Sequence, residues 1–154
     1  MDAKGCVAAG ITGNTAEQGF FFAREDHAEA SPAQPTHCVL TVESDPSMAQ
    51  LITRVLTRSG YRMMLALSGA DALEIARREA VDVIVLDLWV TDMDGFDLLA
   101  RLVALQGPRV VVFTDAHQGW EEWAHRLGAA GFVDKDQPPR RLLEVVEQTA
   151  GRER

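Results

Sequence analysis

Val83-Ile84-Val85-Leu86-Asp87-Leu88-Trp89-Val90-Thr91-Asp92-Met93-Asp94-Gly95 is the stretch on which the fold turns: an apolar run stops at a carboxylate and then bends. Four successive branched apolar residues read as a strand buried on both faces, the kind found at the centre of a parallel sheet covered by helices. Asp87 then sits at that strand's carboxyl end. In an open α/β sheet this is the edge where ligand chemistry collects, because the loops leaving the strand tips border a crevice. An aspartate after a strand is often only a turn former or a helix cap. Two features argue for chemistry instead: an acidic strand tip earlier in the chain and a lysine later, at spacings that βα units bring together.

On the amino-terminal side, Cys38-Val39-Leu40-Thr41-Val42 reads as a first strand delivering Glu43-Ser44-Asp45 to its tip. Pro46 suits the first turn of a helix, with Asp45 as its N-cap, and Met48, Leu51, Ile52, Val55 and Leu56 recur at helical spacing up to Ser59-Gly60. Tyr61 to Ala66 reads as an edge strand. Ser68-Gly69-Ala70-Asp71 resembles a capping box for a second helix running to about Glu79. On the carboxyl side, Asp94-Gly95 opens a helix that Gly107-Pro108 is expected to stop, and Val110 to Phe113 form a fourth strand ending in Thr114-Asp115. A helix over about Gln118 to Leu127, a short strand Phe132-Val133 ending in Asp134-Lys135-Asp136, and a final helix from Pro138-Pro139 complete five βα repeats. Right-handed crossovers favour an α/β fold with a doubly wound five-stranded parallel sheet in order 2-1-3-4-5.

The chain has 154 residues, 47% of them hydrophobic, enough for one domain with a modest appendage. Residues 1–36 mix Gly, Ala, Thr, Glu and Gln without period and end in a linker-like Ser31-Pro32-Ala33-Gln34-Pro35, so this extension is expected to be disordered, with a short helix around Ala16 to Glu29 as an option. Phe20-Phe21-Phe22 stands out there as an apolar run suited to docking. The domain is placed at 37–150, with 151–154 as a tail. A formal net charge of −8 argues against a grip on nucleic acid or an anionic membrane surface, which needs clustered Lys and Arg. Cys6 and Cys38 lack CxxC or zinc spacing and read as free thiols in a reducing cytoplasm. No basic leader precedes an apolar run, and no apolar stretch is long enough to span a bilayer.

With strands one, three, four and five contiguous, Glu43, Ser44, Asp87, Thr114 and Lys135 should converge in one acidic pocket. Such a pocket suits Mg²⁺, which prefers oxygen ligands and keeps several waters beside one or two carboxylates. A carboxylate so neutralised can attack phosphorus, with a hydroxyl and an ammonium stabilising the oxygens of the transferred group. Trp120 and Trp123 read as partial core, His117 and His125 as surface residues without metal-spaced partners, and Glu121-Glu122 as a solvated face.

Across residues 38 to 150 the sequence resembles the receiver domains of two-component response regulators. The resemblance rests on Val42-Glu43-Ser44-Asp45-Pro46, on Leu86-Asp87 followed by Met93-Asp94-Gly95, on Phe113-Thr114, and on Gly128-Ala129 through Lys135. It implies a flavodoxin-like receiver fold whose Asp87 accepts a phosphoryl group from a sensor histidine kinase or phosphotransfer protein. Mg²⁺ would be held by Glu43, Asp87, the Trp89 carbonyl and, weakly, Ser44, while Thr114 and Lys135 would contact the phosphoryl oxygens. Phe132 would be the aromatic that changes rotamer, and helix 4, strand 5 and helix 5 the surface for a downstream protein target or for a homodimer. Trp89 and Ala116 would flank the path of a hydrolytic water. Three departures stand out: Ser44 replaces a second acid, Asp115 a small residue, and Thr91 a proline. The chain's close after the last helix suggests a single-domain signalling protein and no enzyme, since Trp89 stands where a phosphatase of this type needs a second aspartate. The competing reading is a pseudo-receiver that recognises its partner without phosphorylation.

Overall fold

In the computed structural model the described residues are 37–151. Expectations for residues 1–36, Cys6 and the phenylalanine run among them, and for 152–154 lie outside them. The elements run β1 (Cys38–Val42), α1 (Pro46–Arg58), β2 (Arg62–Ala66), α2 (Gly69–Arg78), β3 (Val83–Leu86), α3 (Gly95–Ala104), β4 (Arg109–Thr114), α4 (Trp120–Arg126), β5 (Gly131–Asp134) and α5 (Pro139–Ala150). All strands pair in parallel in the order β2-β1-β3-β4-β5, as the five βα repeats predict. Among the described residues no helix is long and apolar enough to cross a membrane.

Strand alternation splits the core into two layers. Leu40, Val42, Ile84, Leu86, Val110 and Val112 point to the face covered by α2, α3 and α4. Val39, Val83, Val85, Val111, Phe113 and Val133 point to the other, against Ile52 and Leu56 of α1 and Leu142, Val145 and Val146 of α5. Because β3 is central, both its faces are covered, which is why Val83–Leu86 shows no polar alternation. Each fully buried Leu or Ile in these layers contributes about 1.5–3 kcal/mol of transfer free energy, so the sheet is a stiff base for whatever its tips carry.

The helix ends follow local chemistry. Asp45 caps α1, its carboxylate accepting from Ser47 N at 3.1 Å with Pro46 at the first position. Asp94 caps α3 by accepting from the amides of Phe96 and Asp97. Gly95 is required beside it, because a Cβ there would run into the Leu88 carbonyl. Helix α3 stops at Ala104, before the expected Gly107-Pro108, and Gln106 rather than Gly107 takes the left-handed turn, at φ 61°. Helix α4 is shorter than its periodicity suggested, since Gly119 at φ 86° starts it without a side-chain cap. Cys38 is buried at the start of β1 and disulfide-bonded, which corrects the reading of a free thiol; spacing along the chain carries no information on pairing.

Candidate functional site at the strand tips

The register of the central strands sets the site. Val42, Leu86 and Val112 lie side by side on β1, β3 and β4, and the ladder continues one residue further where Asp87 N donates to Val42 O at 3.1 Å and Lys135 N to Thr114 O at 3.0 Å. Glu43, Asp87, Thr114 and Lys135 are therefore delivered to one level at the carboxyl edge. Their side chains close into a network. Thr114 Oγ1 donates to Asp87 Oδ1 at 2.9 Å, and the Trp89 amide donates to the same oxygen at 3.1 Å. Lys135 Nζ bridges Asp87 Oδ2 at 3.0 Å and Glu43 Oε1 at 2.9 Å, while Asp45 N donates to Glu43 Oε2 at 3.1 Å.

Every carboxylate oxygen of the pair thus has a donor, as burial demands: Glu43 is 2% and Asp87 5% exposed. Burial pushes the Glu43 carboxyl above its ordinary range, with the Asp87 charge adding to the rise and the bond from Lys135 opposing it. For Lys135 burial works to lower the ammonium, but the hydrogen bonds and charges of Glu43 and Asp87 outweigh it and hold the group above its ordinary value. The governing direction is the lysine's: its ammonium is held charged between the two carboxylates.

The structure brings together four of the residues singled out from the sequence and sets others apart. Ser44 is half-buried and takes no part in these bonds. Asp115 is exposed, and its carboxylate gathers with those of Asp134 and Asp136, oxygens within 4.8 Å of one another, outside the hydrogen bonds that join Glu43, Asp87 and Lys135. Half-buried Phe132 borders a groove of about 570 Å³ between the start of α4, β5 and α5, whose walls include His117, Glu121, Asp134 and Arg141. Trp120 is partly buried against the core, as expected, but Trp123 is 58% exposed; α4 turns only Ala124 fully inward and leaves Trp123 lying on Phe96. His125 sets Nδ1 at 3.1 Å from the Ala129 carbonyl, and Glu121 and Glu122 face solvent beside His125 and Arg126.

Two features escaped the sequence reading. Asp92, in the loop after β3, accepts hydrogen bonds from Gly69 N at 2.8 Å and Ala70 N at 3.0 Å, capping α2 from a separate loop; those bonds hold its carboxyl below the ordinary range. No spacing rule finds a cap more than twenty residues away. The second is an aromatic cluster over the mouth of the site. Trp89, 51% exposed, donates Nε1–H to the Asp115 carbonyl at 3.3 Å and lies 5.8 Å from the His117 ring and 5.5 Å from that of Trp120. His117 and Trp120 meet edge-on at 4.7 Å, and Phe96 meets Trp120 at 5.3 Å. The signal for it was four aromatic side chains spread over two loops and two helices, meaningful only once those are folded together.

Comparison with known proteins agrees with this geometry. The family model described as "Response regulator receiver domain" matches residues 39–147. The chain is 33% identical over 123 residues to the transcriptional regulatory protein GlrR of Escherichia coli, a match covering 76% of this chain and 28% of GlrR, so it spans little more than a quarter of that relative. It is 25% identical over 112 residues to protein PilH of Pseudomonas aeruginosa, covering 70% of this chain and 93% of PilH. Among solved structures, a response regulator protein from Burkholderia pseudomallei with a phosphorylated aspartic acid and a calcium ion superposes with a TM-score of 0.67 at 26% identity, covering 74% of this chain and 68% of that one. An aspartate at the tip of the middle strand, bonded by a threonine hydroxyl and a lysine ammonium from the next two strands, stands in a chain that belongs to the response regulator receiver domain family.

Proposed function

We propose that this chain accepts a phosphoryl group on Asp87 from a sensor histidine kinase or phosphotransfer protein and signals by a change of its protein-interaction surface. Receiver domains are regulatory proteins of two-component systems; phosphorylation on aspartate is their general mechanism, and they generally bind Mg²⁺ through acidic residues. The observation that carries the proposal is the Asp87 carboxylate at the β3 tip with Thr114 Oγ1 and Lys135 Nζ on its two oxygens. In the transfer, an Asp87 oxygen forms the O–P bond as the N–P bond of phosphohistidine breaks, and the electron pair leaves on the imidazole, which takes a proton. Thr114 and Lys135 are placed to turn from the carboxylate to the phosphoryl oxygens, a hydroxyl and a cation meeting the charge carried there.

The donor set suits Mg²⁺, with the Trp89 carbonyl as a further ligand: Asp87 Oδ2 and both oxygens of Glu43 carry one donor each and keep a lone pair, as a hexacoordinate ion that keeps its waters asks of one or two carboxylates. Bound there, it would offset the negative charge between phosphoryl group and carboxylate. Glu43 and Asp87 would be its anionic ligands and Ser44 at best a neutral one. Because Ser44 supplies no second anionic oxygen beside Glu43, and Lys135 already occupies an oxygen of each carboxylate, the affinity should be weak. The groove beside Phe132 supports the surface of α4, β5 and α5 as the one read by a target or a second copy.

One observation favours the pseudo-receiver: Lys135, Asp45 and Trp89 satisfy the two acids internally, so the site is stable without a ligand. Incubating the chain with Mg²⁺ and acetyl phosphate, followed by intact mass, separates the readings. Phosphoacceptance predicts one adduct that Asp87→Asn abolishes; no adduct establishes the pseudo-receiver, and an adduct that persists in Asp87→Asn moves the acceptor elsewhere.

A further inference from the structure

The geometry points to Trp89 as a latch: its indole ties the acceptor loop to the β4–α4 loop and holds the unphosphorylated state, so that the resting conformation is stabilised from outside the acceptor chemistry. The inference rests on the phosphoacceptor reading for its consequence, though not for its existence.

The connection has two parts. The Nε1–H bond to the Asp115 carbonyl, at 3.3 Å, is a long hydrogen bond in a half-exposed setting. The indole also packs against His117 and Trp120 at 5.8 and 5.5 Å, inside the range in which aromatic pairs attract beyond their buried area. Asp115 directly follows Thr114, whose hydroxyl is on Asp87, and His117 leads into α4 through its carbonyl, which accepts from Trp120 N at 3.0 Å. Phe96 of α3 closes the cluster from below. Residues 115–120 are thus held at one end by Thr114 and along their length by one side chain of the acceptor loop.

A phosphoryl group on Asp87 projects past the carboxylate toward the loops. For the Thr114 hydroxyl to exchange a carboxylate oxygen for a phosphoryl oxygen, the end of β4 has to shift, and the Asp115 carbonyl shifts with it. A contact made only before that shift favours the resting state by its own free energy. Trp89 is therefore a positioning residue acting through the β4–α4 loop, and α4 is released or held according to whether the indole stays on Asp115.

The test uses the full chain in three variants. Trp89→Phe keeps a ring and removes the N–H; Trp89→Ala removes both; Trp120→Leu removes the far side of the stack without touching the acceptor loop. Amide hydrogen exchange of the unphosphorylated protein should accelerate across residues 115–120 in all three, most in Trp89→Ala, with β1 and β3 unchanged. The beryllofluoride concentration for half-saturation in Mg²⁺ should fall about two- to fivefold in Trp89→Phe and further in Trp89→Ala. A side chain that merely fills space would lower the melting temperature and leave half-saturation unchanged, which overturns the latch, as does unchanged exchange in 115–120. If the parent protein takes no beryllofluoride, the phosphoacceptor reading fails instead, and the exchange measurement alone decides the latch.

Discussion

Replacing Lys135 by methionine should expose how the site is balanced. The Lys135 side chain is 10% exposed and its ammonium bridges the carboxylates of two buried side chains, so its loss leaves two buried acids facing each other with no cation between them. Their bridged oxygens are at most about 6 Å apart, since each lies about 3 Å from Nζ. At an effective dielectric constant of about 20 that repulsion is roughly 3 kcal/mol, at the low end of the ~3–5 kcal/mol typical when one partner of a buried pair is removed. Methionine retains most of the apolar stem, so packing contributes little to the change. Urea denaturation in EDTA should therefore show Lys135→Met about 3 kcal/mol less stable with an unchanged m-value. Millimolar Mg²⁺ should return part of the loss, because the variant site carries two uncompensated negative charges and the ion supplies what the ammonium did. A loss under about 1 kcal/mol, the value of an exposed pair, or one indifferent to Mg²⁺, would refute the view that the lysine neutralises this site.

Ser44→Asp should raise Mg²⁺ affinity roughly tenfold by restoring a second hard anionic oxygen; a titration followed by tryptophan fluorescence checks it, and equal affinities would reject Ser44 as the cause of weak binding. Trp89→Asn should speed loss of the phosphoryl group by roughly three- to tenfold, because an amide can orient the attacking water where an anchored indole cannot; decay of labelled protein that is unchanged or slower would show that the indole does not guard the site. Asp92 has a depressed carboxyl, so its capping contribution is fully present above the unfolded value of about 3.9 and is lost as pH falls through the lower folded value. The melting-temperature gap between the parent protein and Asp92→Asn should accordingly be widest near neutrality and narrow in acid, and a gap independent of pH would deny the cap its charge.

Much of the fold was written in local pattern. Val83–Leu86 is apolar without alternation because a central strand is covered twice, and Pro46 and Asp94 mark helix starts through backbone chemistry that acts within a few residues. Where local signals competed, the reading slipped by a few residues: Gln106 rather than Gly107 makes the turn after α3, and a seven-residue α4 carries Trp123 outward. The strand-tip residues could be named in advance because parallel βα units repeat one geometry, so an acid, a threonine and a lysine after successive strands must arrive at the same edge.

What the sequence by itself determined is therefore which groups meet: Glu43, Asp87, Thr114 and Lys135 at the carboxyl edge of a 2-1-3-4-5 sheet. Only the tertiary structure decided how they are bonded and what surrounds them. That Lys135 bridges both acids across 48 and 92 residues, that the Asp115 carboxylate joins Asp134 and Asp136, and that Trp89 reaches the Asp115 carbonyl depend on ångström-scale placement of side chains from separate elements. Periodicity specifies which face of a strand or helix is buried, because hydrophobic burial is non-directional and averages over many residues. A hydrogen bond or an aromatic edge contact depends on distance and angle between two particular groups, and those are set only once the packed layers have fixed where each loop begins and ends.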